Sequence, residues 1–233
     1  MSRTSRLPRS NYAHRLGEFG EFVFAEESAF ARAGQWGEFF KARMGERFDG
    51  RVIVELGCSN GALLTTVAAR YPQTAFVGVD WKCKPLYDCA TRAAGEELRN
   101  VGLLRARGQD IARAFAPAEV DELWLFHPDP CDTAVELKNR LMSAAFLADV
   151  HRVLRQEGIL ALKTDHAAYH QWALDLLDSE VRIKRRLTSR DYWSDKLVLG
   201  HTVDRLFAGL TTPFEERSVK KRQPIYYVEM RKD

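Results

Sequence analysis

The stretch Val52–Leu64, VIVELGCSNGALL, decides the fold of this chain. It opens with a short run of β-branched and aliphatic residues, which predicts a buried strand. Gly57 and Gly61 bound the turn that follows, and the apolar spacing after Gly61 predicts a helix. A strand, a glycine-bounded turn and a helix in this order are typical of loops that hold nucleotide-like cofactors. The stretch therefore predicts an α/β fold with a cofactor at its first turn.

The residues of this turn separate the candidate cofactors. Dinucleotide-binding turns follow G-x-G-x-x-G, and the middle glycine lets the backbone approach a pyrophosphate. Ser59 occupies that middle position, and no Gly-Lys-Ser/Thr follows as a P-loop requires. Glu55, just before the turn, would repel phosphate but can accept a hydrogen bond from an ammonium group. The turn thus favours S-adenosyl-L-methionine, which carries an ammonium and no phosphate, over NAD.

Strand and helix patterns alternate along most of the remaining chain. TAFVGVD (74–80), DELWLFHPDP (121–130) and ILALKTD (159–165) predict strands that are separated by segments with helical spacing. Such alternation predicts an α/β, doubly wound, mostly parallel sheet, here of seven strands. The last two strands, RIKRRL (182–187) and PIYYVEMRK (224–232), are expected to form an antiparallel hairpin at the sheet edge.

We expect two regions along the chain. Residues 1–50 are predicted to form a basic N-terminal arm and a helical segment that bears aromatic residues, and residues 51–233 the cofactor-binding domain.

An acidic residue stands at the end of each of five successive predicted strands. These acids are Glu55, Asp80, Asp110, Asp129 and Asp165. Taken singly, an aspartate after a strand is commonly a turn or helix-cap residue. Because the carboxyl ends of parallel strands meet at one edge of the sheet, their repetition predicts a crevice lined by carboxylates. The predicted cofactor-binding residues are Glu55, Gly57, Asn60, Gly61, Asp80, Asp110 and Asp129.

Composition limits the class of protein. Hydrophobic residues make up 45% and charged residues 29% of the 233, which is ordinary for a globular chain. No apolar run approaches the ~18 residues of a membrane span, and Met1–Leu16 lacks a signal-peptide core. The four cysteines show neither a CxxC pair nor zinc spacing. We therefore expect reduced thiols, no metal, no membrane partner and a cytoplasmic location.

Three clusters of basic residues interrupt an otherwise balanced charge distribution. They are Met1–Leu16, which holds Arg3, Arg6, Arg9 and Arg15, then Val181–Arg190, which includes Arg182, and Arg217–Arg222. Clustered cations attract polyanions such as nucleic acids. Each cluster alone is equally typical of a solvated surface or terminus, so both interpretations remain open.

Four separated motifs resemble those of the tRNA (guanine-N7) methyltransferases. VELGCSNGALL is similar to the family's E-x-G-x-G-x-G loop, and FHPDP (126–130) to its F-P-D-P signature. LKTDHAAY (162–169) resembles T-D-x-x-x-Y, and TPFEER (212–217) resembles T-x-F-E-x-R. The resemblance covers Val52 to the C-terminus. It implies a Rossmann-like class I methyltransferase fold, S-adenosyl-L-methionine as cofactor and methyl transfer to N7 of a guanosine in tRNA.

The resemblance also implies roles for individual residues. Asp129 is the expected catalytic residue beside the reacting centre, where a carboxylate stabilises the positive charge that develops on the purine. The residues expected to hold the acceptor base are Asp165, Thr212, Phe214 and Glu215. No strong base is required, because guanine N7 carries a free lone pair.

One segment departs from the family pattern. After D-P the family continues W-P-K-K-R-H-x-K-R-R, whereas this chain has CDTAVELKNR at 131–140. Thr133 stands at the position of a substrate-binding lysine, and Asp132 and Glu136 add negative charge. This departure leaves open a methyltransferase of this fold that acts on another RNA or a small molecule, and a non-catalytic RNA-binding or scaffolding relative also remains possible as an alternative. An NAD-dependent oxidoreductase is the least favoured alternative, because Ser59 replaces the middle glycine.

Overall fold

One mixed sheet organises the molecule. The computed structural model describes residues 11–25, 27–133, 135–179, 183–202 and 205–233. The strand order in the sheet is β1-β4-β3-β2-β5-β6-β8-β7. The strands are β1 (Val23–Ala25), β2 (Val52–Leu56), β3 (Ala75–Asp80), β4 (Val101–Arg105), β5 (Val120–Phe126), β6 (Leu154–Thr164), β7 (Ile183–Ser189) and β8 (Tyr226–Lys232). Strands β1 to β6 are parallel to one another, and β8 is antiparallel to both β6 and β7.

Helices connect these strands. They are α1 (Glu27–Phe30), α2 (Trp36–Met44), α3 (Ala62–Arg70), α4 (Cys83–Gly95), α5 (Ile111–Ala114), α6 (Ala144–Val153), α7 (Ala167–Asp178), α8 (Lys196–His201) and α9 (Pro213–Lys220). Within the ranges given above, no helix combines the length and the apolarity needed to cross a bilayer.

The central strands are apolar because both of their faces are covered. Every residue of β2 and β3 is buried, as are six of the seven residues of β5. Parallel strands of this kind form continuous hydrophobic runs rather than alternating ones. Gly78 in β3 has a steric role, because a Cβ there would lie 2.7 Å from Leu64 Cδ2 and 2.8 Å from Cys58 Sγ. The glycine thus lets the turn after β2 and helix α3 lie directly on β3.

The predicted fold class is confirmed, but the sheet has eight strands and not seven. The additional strand is β1, which pairs in parallel with β4 at the sheet edge. Aromatic packing supports it: Trp36 is fully buried, meets Phe24 and Phe39 edge-on, and donates from its indole N–H to the carbonyl of Ala114. A three-residue strand is too short to produce a recognisable alternation, so the aromatic pattern predicted only helix here. Arg3, Arg6, Arg9 and Arg182 lie outside the described residues.

Candidate functional site

A crevice of about 850 Å³ opens at the carboxyl ends of β2, β3, β4 and β5. The chain runs from β2 outward to β3 and β4 and then returns to β5 on the other side of β2. Ligands of open α/β sheets bind at such a point of strand-order reversal. The sequence-predicted residues that line the crevice are Glu55, Gly57, Asn60, Asp80, Asp129, Thr212 and Phe214.

Four other predicted residues do not line the crevice: Gly61, Asp110, Asp165 and Glu215. Of the five strand-end acids, Glu55, Asp80 and Asp129 therefore share the crevice. The carboxylate of Asp110 lies 3.0 Å from the guanidinium of Arg113 in α5, and Gly108 and Gln109 of the same turn line the crevice instead.

Glu55 is a buried carboxylate on the crevice floor. Its Oε2 has no hydrogen-bond partner among the residues that the structure describes. Burial, together with the nearby carboxylates of Asp80 and Glu215, raises the pKa of Glu55 to about 8. A buried carboxylate is costly to ionise unless it gains a partner. The position therefore suits a cationic ligand group, which would stabilise the ionised form.

Asp80 holds the glycine-bounded turn in shape. Its Oδ2 accepts from the backbone N–H of Ser59 at 3.1 Å, and its Oδ1 accepts from the N–H of Lys82 at 2.8 Å. Burial raises the pKa of Asp80, and these two backbone hydrogen bonds oppose that change. Both Gly57 (φ 78°) and Ser59 (φ 51°) adopt the left-handed backbone region. The acid at the end of β3 thus fixes the turn after β2.

Gly61 has a packing role in this structure. It adopts φ 71°, and a Cβ at this position would lie 2.9 Å from Cys89 Cβ and still closer to its sulfur. Cys89 belongs to α4 and is completely buried. Gly61 therefore allows the start of α3 to approach α4.

A buried ion pair supports the opposite wall of the crevice. Lys163 Nζ, near the end of β6, lies 3.0 Å from Glu215 Oε1 of α9. Glu215 Oε2 accepts from the N–H of Thr212, and Thr212 Oγ1 accepts from the N–H of Glu215, which closes a capping box. Burial lowers the pKa of Lys163, and Glu215 opposes that change. Sequence reasoning missed Lys163, although a lysine inside the apolar run ILALKTD is a signal for a buried partner.

The chain is similar in sequence to known methyltransferases. A methyltransferase family model, Methyltransf_4, matches residues 49–228. A tRNA (guanine-N(7)-)-methyltransferase of Christiangramia forsetii is 31% identical over 87% of this chain and 85% of its own length. The chain belongs to the tRNA (guanine-N7) methyltransferase family. A second relative of that name, from Lactococcus lactis subsp. cremoris, is 30% identical over 82% of this chain and 85% of its own length.

A solved structure supports the fold of this tRNA (guanine-N7) methyltransferase family member. An antibiotic-related methyltransferase superposes with a TM-score of 0.58 at 14% identity, covering 84% of this chain and 92% of its own. Both the predicted family and the predicted methyltransferase class are thus confirmed.

In this tRNA (guanine-N7) methyltransferase family member, Asp132 links two parts of the segment that follows the D-P motif. Asp132 Oδ1 lies 3.1 Å from Arg140, and its Oδ2 lies 2.8 Å from His166 Nε2. Arg140 is buried and also donates to the carbonyl of Pro130 at 2.8 Å. Cys131 and Asn139 line the crevice, whereas Asp132 does not. Asp132 therefore orders a loop at the crevice rim.

Proposed function

We propose that this protein transfers a methyl group from S-adenosyl-L-methionine to N7 of a guanosine in tRNA. The observation that carries the proposal is Glu55, a buried acid with an unpartnered oxygen on the floor of the crevice. The names of the relatives at 31% and 30% identity favour this acceptor over a small molecule or another RNA. They also favour an enzyme over a scaffold or an NAD-dependent oxidoreductase.

The residues of the crevice fit this cofactor. Glu55 offers a carboxylate to the ammonium group, and Asp80 offers one to the ribose hydroxyls. Gly57 and Asn60 line the same floor. Gly108 and Gln109 line the crevice in the turn where Asp110 was predicted to bind the cofactor. When bound, the cofactor supplies an electrophilic methyl carbon.

For this methyl transfer the protein has to position the guanine and to stabilise the charge that develops on it. Guanine N7 attacks with its own lone pair, so no side chain has to remove a proton. Asp129, which follows β5 on the crevice rim, stabilises the positive charge that develops on the purine. Thr212 and Phe214 form the facing wall, and Phe214, 39% exposed, offers an aromatic ring to a base. Asp165 stands behind this wall, next to His127.

A cationic surface continues from the crevice along α9 and into the turn that follows it. Arg217 lines the crevice, and the exposed Lys220, Lys221 and Arg222 follow it. Across the part of the chain that the structure describes, none of these four has an ion pair. The cations of β7 differ, because Lys184, Arg185 and Arg186 each face an acid: Asp233, Asp178 and Glu229. We therefore assign phosphate binding to α9.

The decisive experiment is a product assay. The full-length protein is incubated with S-adenosyl-L-methionine and an unmodified tRNA pool, and the RNA is digested to nucleosides for mass spectrometry. We expect 7-methylguanosine to accumulate with time. A pool that gains a different methylated nucleoside, or none while the protein binds the cofactor, would refute the proposal.

A further inference from the structure

His127 is a second buried group without a partner at this crevice. It directly follows β5, adopts φ 52° and contributes to the crevice wall between Phe126 and Asp129. Its side chain is 8% exposed, and neither Nδ1 nor Nε2 has a hydrogen-bond partner within the described parts of the chain. Buried polar groups nearly always have partners, so an orphaned imidazole at a binding crevice points to a ligand.

The surroundings of His127 define what it offers. The ring lies against Phe214, with centroids 4.6 Å apart and planes at 37°, and Phe214 covers it. Nδ1 lies 3.9 Å from Asp165 Oδ1. Burial lowers the pKa of His127; Glu215 and Asp165 oppose this change, and the Lys163 ammonium adds to it. The imidazole is therefore neutral near pH 7, with one nitrogen as donor and the other as acceptor.

We propose that His127 reads the acceptor base, and that it does so when Phe214 swings off the imidazole and exposes its nitrogens. Nδ1–H then faces the carboxylate of Asp165, which leaves Nε2 to accept from an N–H of the guanine. Methylation at N7 places positive charge on the purine and makes its N–H groups better donors. The hydrogen bond to Nε2 therefore strengthens as the methyl group is transferred. An interaction that is stronger in the transition state than in the bound substrate accelerates the reaction. This inference rests on the proposed function and adds a specificity-determining residue to it.

The unsatisfied imidazole has a cost in the free protein. Two buried nitrogens without hydrogen-bond partners destabilise the fold. An aromatic ring without nitrogens would fill the niche at lower cost, so His127→Phe is expected to raise the melting temperature. Nε2 gains a hydrogen-bond partner only when the base is bound.

Two variants test the inference at saturating S-adenosyl-L-methionine, which keeps the titration of Glu55 out of the measurement. His127→Phe keeps the packing on Phe214 and removes both nitrogens. We expect kcat/KM for tRNA to fall roughly 10- to 100-fold, with unchanged calorimetric affinity for the cofactor. His127→Gln restores an acceptor, so it should recover part of that loss.

The pH dependence of kcat/KM distinguishes a hydrogen bond between His127 and the base from a role of His127 in packing alone. In the parental protein, kcat/KM should fall as acid protonates His127, because imidazolium cannot accept a hydrogen bond. In His127→Gln, this decrease of kcat/KM at acid pH should be absent. Parental kcat/KM in His127→Phe, or the same decrease at acid pH in His127→Gln, would overturn the inference. If the parental protein methylates no tRNA, the proposed function fails instead.

Discussion

The ammonium of Lys163 lies 3.0 Å from Oε1 of Glu215, and both side chains are almost completely shielded from solvent, at 1% and 0% exposure. The pair joins β6 to the first turn of α9. Because Glu215 also closes the capping box with Thr212, the position of the acceptor wall depends on an ion pair beneath it. Glu215, the glutamate of the T-x-F-E-x-R motif, was expected to hold the base. In the structure its side chain is buried and pairs with Lys163.

Removing Glu215 should therefore destabilise the free protein. In Glu215→Ala the Lys163 ammonium stays buried without its counter-ion, and we expect the free energy of unfolding to fall by about 3 to 5 kcal/mol. The double variant Lys163→Met/Glu215→Leu should recover most of this loss. Urea denaturation measures both. If Glu215 serves only the substrate, Glu215→Ala will unfold at the parental urea concentration and change only KM.

Glu55 should make stability depend on pH. Its pKa is about 8 in the folded protein, against 4.5 for an ordinary glutamate. Between these values the native state binds more protons than the unfolded state, so stability falls as pH rises, by at most about 1.4 kcal/mol per pH unit. Glu55→Gln removes this slope and is expected to be more stable than the parent at pH 8. Denaturation at pH 6 and pH 8 shows the difference, and equal slopes would contradict it.

The same residue should control cofactor affinity. Since a cation is bound by the ionised form of Glu55, affinity for S-adenosyl-L-methionine should increase as pH rises toward 8. Calorimetry at several pH values measures this trend, with Glu55→Gln as the matched control, for which we expect weak binding and no trend. Parental affinity in Glu55→Gln would remove Glu55 from the cofactor site.

The cations of α9 should dominate tRNA affinity. We expect Lys220→Ala/Lys221→Ala to weaken tRNA binding and to lower the slope of log affinity against log salt by about one for each lysine that binds a phosphate. The matched control is Lys184→Ala/Arg185→Ala on β7, whose cations face acids. Filter binding between 50 and 200 mM salt, roughly the range in which such binding is resolved, compares the two. A larger effect from the β7 pair would place the tRNA on β7 and not on α9.

Asp129 should separate binding from chemistry. Asp129→Ala is expected to abolish methyl transfer while cofactor binding survives at least in part, because Glu55 and Asp80 remain. The product assay and calorimetry on the same preparation test this. Asp129 is exposed on the rim, so the melting temperature should not change. Methylation at the parental rate would show that another group stabilises the purine.

Local pattern was sufficient for much of the fold. The run from Val52 to Leu64 predicted a strand, a turn and a helix, and the structure has β2, a turn with Gly57 at positive φ, and α3. The terminal hairpin of β7 and β8 was also predicted, and it is present. These features follow from side-chain periodicity and from the backbone freedom of glycine, both of which act over a few residues. The eighth strand escaped prediction because three residues carry too little periodicity.

What the sequence by itself determined is therefore the order of five parallel strands along the chain and the presence of an acid at the end of each of these five. Tertiary structure alone decided which of these acids share the crevice, that Asp110 pairs with Arg113, and that Lys163 and Glu215, 52 residues apart, form a buried pair. The physical reason is that periodicity reports whether a residue is buried. The partner that it meets there depends on how distant segments pack, and that packing sets both the pKa and the role of each buried charge.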